Sequence, residues 1–135
     1  MRKSTIIAAL AVAFMAPAVH AADVNEADFE KAMKDVQAGV NAVRGANGDM
    51  AAAGKAAKAV EAALASVESF WAARKDAEAV KLSASSRAAV LAVAKAAEGN
   101  DAAAVGEATK AMFGTCKACH DVHREQLPDK TYKIK

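Results

Sequence analysis

The sequence predicts an all-α protein, an antiparallel four-helix bundle, on three observations. Apolar side chains recur at alternating steps of three and four along four separate stretches, which is the period of one helix face. Hydrophobic residues make up 54% of the chain while aromatic residues make up 4%. The excess is alanine, the strongest helix former and a weak core filler. Stop and restart signals separate the stretches at 45–49 and 99–101. A length of 135 residues suits one such domain.

The domain is expected to begin after a leader. Met1-Arg2-Lys3 is a basic head, an apolar run follows from Thr5 to Met15, Pro17 breaks it, and Val19-His20-Ala21 ends in small residues. This is the anatomy of a secretory signal peptide over 1–21, cleaved after Ala21. Residues 22–135 then form a single domain with a short tail from about 126. As an uncleaved anchor the apolar run is short, since spanning takes about 20 apolar residues. Charges interrupt every later apolar stretch, so the mature chain is not expected to span a membrane. The chain carries 18 Lys+Arg and 16 Asp+Glu; removing Arg2 and Lys3 leaves 16 of each. That balance argues against a nucleic-acid partner.

The first helix is expected from about Glu26 to Arg44, with Phe29, Met33, Val36, Val40 and Val43 on one face. Gly45-Ala46-Asn47-Gly48-Asp49 ends it, and Asp49 is placed to cap the second. The second runs from about Met50 to Trp71, its stripe passing through Ala53, Ala57, Val60, Leu64 and Val67. The third covers about Asp76 to Glu98, with Ala77, Val80, Ala84, Ala88, Leu91 and Ala94 as its stripe. No Gly or Pro separates it from the second; Asp76 as an N-cap, and the need to bury two stripes by folding back, favour a break there. Gly99-Asn100-Asp101 is a clear stop and restart. The fourth helix is expected to reach Glu125 or Gln126, with Val105, Ala108, Met112, Cys116, Cys119, His120 and His123 on one broad face. Gly114 is expected to keep that surface low enough for a flat group to approach. Pro128 ends the helix, and the alternating tail reads as either an extended strap or a frayed end.

Both cysteines of the chain fall in Cys116-Lys117-Ala118-Cys119-His120, and C-x-x-C-H is the attachment signature of a c-type haem. Thiols three apart on a helix project to one side, where each can add to a vinyl group, and the following imidazole reaches the iron from the same side. Two other readings exist: a C-x-x-C disulfide, which export would favour, and a zinc site with His123 as a further ligand. A thioredoxin-like site needs strands that the sequence does not offer.

Beyond the motif itself, the chain resembles the class II c-type cytochromes, the cytochrome c′ and cytochrome c556 group, over about Trp71 to Arg124. The resemblance is carried by Gly99-Asn100-Asp101-Ala102-Ala103, by Gly114-Thr115-Cys116-Lys117-Ala118-Cys119-His120-Asp121, and by Arg124 four residues after the histidine. His123 stands where the family commonly has an aromatic, and the tail from Gln126 is extra. The resemblance implies an exported four-helix bundle with one covalent haem c near its C-terminal helix. It implies thioethers at Cys116 and Cys119, with His120 as the proximal iron ligand. Family members with a sixth ligand take a methionine from the first helix; others leave the position empty, and homodimers are common.

Met33 is the candidate sixth ligand, on the apolar stripe of the first helix, although the same spacing suits plain core packing. Met112 is expected to line the haem pocket. Arg124 either contacts a haem propionate or complements the helix dipole. His123 projects from the same side as His120 and so is not expected on the same iron; a surface or propionate-contacting role is expected instead. No group is placed for acid–base or nucleophilic catalysis. The sequence therefore predicts a periplasmic electron carrier rather than an enzyme, exchanging electrons with periplasmic or membrane-bound redox proteins. The alternative is a five-coordinate haem protein that binds NO or CO.

Overall fold

The computed structural model describes residues 25–135; the expected signal peptide over 1–21 lies outside them. Four helices follow one another, α1 (Glu26–Gly45), α2 (Met50–Ala73), α3 (Ala77–Glu98) and α4 (Ala102–His123), and two short strands, β1 (Arg124–Gln126) and β2 (Tyr132–Ile134), complete the chain. Short loops reverse the direction at each step, and α1 packs on α2, α2 on α3 and α3 on α4. This is the all-α four-helix bundle that the four stripes predict.

Each helix begins with a side-chain cap. Asn25, Asp49, Asp76 and Asp101 accept from the backbone N–H of Asp28, Ala52, Ala79 and Ala104 at 2.9–3.0 Å, satisfying a donor that the first turn leaves free. The break between α2 and α3 falls where Asp76 suggests. Lys75 adopts φ 59°, Asp76 N–H donates to Trp71 O at 3.1 Å and Lys75 N–H to Ala72 O at 3.0 Å, a Schellman closure. The α3–α4 turn repeats it with Asn100 at φ 53°; the left-handed residue is Asn100, while Gly99 stays right-handed at φ −75°.

The stripes of α1 and α2 face the core largely as expected, and Gly39 lets the two helices meet. A Cβ at Gly39 would lie 2.4 Å from Val60 Cγ2. The stripe of α3 is rotated from the expected one. Its buried side chains are Ala79, Ser83, Ser86, Val90, Val93, Ala94 and Ala97, whereas Ala77, Ala84 and Ala88 are exposed and Leu91 is 49% exposed. Ser86 survives burial by donating to Leu82 O at 3.1 Å. On the outer edge of this packing Arg87 ties α3 to α2 through Glu61 at 2.6 Å and Glu68 at 2.9 Å.

The fourth helix is shorter than expected. It stops at His123, and Arg124–Gln126 leaves as β1 to pair antiparallel with β2 in the register Arg124↔Ile134, Glu125↔Lys133, Gln126↔Tyr132. The tail is thus an extended hairpin rather than a frayed end. Among the described residues no helix is long and apolar enough to cross a membrane.

Candidate functional site

Along α4 the two most buried residues are Met112 and His123, and Cys116, Cys119 and His120 between them are half-buried. At about 100° per residue, Cys119 and His120 fall on opposite flanks of Cys116, so all three share one side of the helix. Phe113 and His120, a heptad apart, lie on nearly the same line. Phe113 faces α1, because the Arg44 guanidinium sits 4.2 Å over its ring. His120 therefore shares the flank turned toward α1, and Cys119 the flank near Asp76, whose charge reaches its thiol. Cys116 packs against the core cluster that contains Val36, Leu64, Val90 and the fully buried Met112.

The seam between α1 and α4 is the open side of the bundle. Successive helices pack closely, whereas α1 and α4 approach each other at few points. They meet through the core cluster that holds Val36, Val43 and Met112 and through Arg44 on Phe113. At the other end Ile134 packs on the cluster that also receives Phe29 and Met33.

Electrostatics suit a ligand-binding role. Burial, helped by the nearby Arg124 charge, lowers the proton affinity of His120, with Asp121 opposing; a neutral imidazole is the form that donates to a metal. Burial raises both thiols, Cys119 further through Cys116 and Asp76. Both cysteines are free. No group of three or more metal-binding side chains converges among the described residues, so the zinc reading with His123 has no site there.

His123 is 9% exposed, so of its two expected roles the surface one falls. Its ring lies 4.9 Å from that of Trp71, and Nδ1 is 3.7 Å from Asp76 Oδ2. Its Nε2 and the Trp71 Nε1 are buried without a protein partner. Nothing in the sequence pairs His123 with Trp71; only the α2–α3 corner brings them together. Arg124 is exposed as the first residue of β1, with its guanidinium 4.1 Å over the Tyr132 ring.

Met33 and Cys116 belong to different packing groups. Met33 is partly buried against Ala32, Val67, Phe70, Trp71 and Ala79, while Met112 and Cys116 share the other cluster. Met33 is nonetheless at the haem-motif end of the bundle, because Ile134, in its cluster, pairs with Arg124. Gly114 is exposed, with open space where a Cβ would stand. It lies on the far side of α4 from Cys116 and clears no room for a ring, contrary to expectation.

A four-helix bundle whose last helix carries C-x-x-C-H on one side is the arrangement that the resemblance to class II c-type cytochromes leads one to expect. The family model described as Cytochrome C' matches residues 63–124, from the second half of α2 to the residue after α4. Over those residues the chain is similar to the class II cytochrome c′ family, a likeness that implies a haem cofactor. No curated protein and no solved structure matches the chain.

Proposed function

We propose that the mature chain is a periplasmic monohaem c-type cytochrome. It carries single electrons between periplasmic or membrane-bound redox proteins and catalyses no reaction of its own. The observation that carries this reading is the sharing of one side of α4 by two free thiols and an imidazole of lowered proton affinity, beside the open α1–α4 seam. Cys116 and Cys119 would hold the haem through thioethers, and His120 would ligate its iron. When bound, the haem supplies a one-electron ferric–ferrous couple.

The chain's own residues hold and tune that site. Met112, fully buried, keeps water from the inner side of the attachment segment. Asp76 and Trp71 fix the end of α4 through His123. Arg124 places a positive charge near His120 and discourages its protonation. Lys130, Lys133 and Lys135 give the exposed tail a basic character suited to an acidic partner.

A second reading, binding of NO or CO at an open sixth position, draws support from the seat of Met33 against the Trp71 cluster rather than beside Cys116. Optical spectra of the oxidised, reduced and CO-treated protein test the two. A low-spin spectrum indifferent to CO supports electron transfer through a six-coordinate iron; a high-spin, CO-reactive spectrum supports the second reading.

A further inference from the structure

The match to the cytochrome c′ family ends at residue 124, where the hairpin begins. We infer that this hairpin is a strap across the open α1–α4 seam and that Ile134 is a positioning residue for the first turns of α1, including Met33. The inference deepens the haem reading above and rests on it.

Two three-residue strands are marginal alone, so this hairpin is held by its ends. Its turn is built in the sequence: Lys130 N–H donates to Leu127 O at 2.9 Å, Leu127 N–H to Thr131 O at 2.8 Å, and Asp129 Oδ1 accepts from Thr131 N–H at 2.9 Å. The returning strand is fixed to the end of α4. Lys135 N–H donates to His123 O at 3.0 Å, Lys133 pairs with Glu125 at 3.2 Å, and Tyr132 lies under Arg124. From this base Ile134 reaches the cluster of Ala32, Val67, Phe70, Trp71 and Ala79, against which Phe29 and Met33 also pack. Tyr132 is 52% exposed while Ile134 is half-buried, so Ile134 is the strand's apolar anchor. Ile134 thereby joins the end of α4 to a cluster that α1 enters through Ala32. Its loss frees the first turns of α1, and with them access to the seam opposite His120.

The test compares the haem-loaded full-length protein with Ile134→Ala, Ile134→Val and a chain ending at Gln126. The readouts are amide hydrogen exchange and the association rate of imidazole (ferric) and CO (ferrous). The strap predicts at least tenfold faster exchange over Phe29–Val36, with the halves of α2 and α3 remote from Trp71 and Ala79 unchanged, and at least tenfold faster ligand association in Ile134→Ala and the truncation. Ile134→Val should restore both. Unchanged exchange and association overturn the inference, as does exchange accelerated equally in all four helices, which marks a general loss of stability. If only the truncated chain fails to fold, Ile134→Ala and Ile134→Val still decide. A wild-type protein without covalent haem overturns the functional reading itself, whereas a haem-loaded protein indifferent to these variants overturns the strap alone.

Discussion

Asp76 serves two helices at once: Oδ1 accepts from Ala79 N–H at 2.9 Å and caps α3, while Oδ2 faces Nδ1 of the buried His123 at 3.7 Å. The end of the helix that bears the C-x-x-C-H segment is thereby referenced to the α2–α3 corner. Asp76→Ala removes both contacts and should cost about 1–2 kcal/mol, the range for a lost N-cap. Asp76→Asn keeps an equally good cap and should cost markedly less. Urea unfolding of both variants separates the cap from the charge facing His123.

Gly39 is buried against α2. Alanine there would gain about 1 kcal/mol of helix propensity, but its Cβ would fall 2.4 Å from Val60 Cγ2. Overpacking typically costs about 1–3 kcal/mol, and at this separation it should win, making Gly39→Ala net destabilising. Gly45→Ala is the control, since a Cβ there meets nothing within 4 Å, and it should be neutral or stabilising. Thermal denaturation of the pair checks the sign.

The raised thiols predict a pH dependence in the haem-free protein. Burial holds the protons of Cys116 and Cys119 more firmly in the folded chain than at the ordinary value of 9.0. The folded state therefore binds more protons than the unfolded state above that value. The associated stability is present below it and declines as pH rises through it. Alkylation by iodoacetamide, which needs the thiolate, should be slower in the folded than in the unfolded chain at pH 8. Equal rates would contradict the burial argument.

Met33 decides the sixth position. If it ligates the iron, Met33→Ala should convert a low-spin spectrum into a high-spin one that responds to CO. If Met33 is only part of the Trp71 cluster, the native spectrum is already high-spin and Met33→Ala leaves it so. That variant should then cost about 2–3 kcal/mol or less of stability, at the low end for a partly buried methionine. Absorption spectra and urea unfolding of the one variant read both roles.

Much of this was legible in the sequence because the signals were local. Asp49, Asp76 and Asp101 cap the helices they were expected to cap, and Cys116, Cys119 and His120 share one side of α4. The buried face of α3 was not legible. It runs through Ser83 and Ser86, so hydrophobicity alone selected the neighbouring phase with Leu91, which is exposed. In an alanine-rich helix the apolar stripe is weakly marked, and the packing of α2 and α4 decides the rotation. The burial of His123 and the early end of α4 depend on contacts with Trp71 and with Lys135, distant in sequence or across a turn. No local period encodes them.

The intact mass of the exported protein under denaturing conditions decides whether Cys116 and Cys119 carry covalent haem. Covalent attachment predicts one species, residues 22–135 plus one haem, with the haem absorption retained after unfolding. The bare chain mass, or that mass less two hydrogens from a Cys116–Cys119 disulfide, would contradict it.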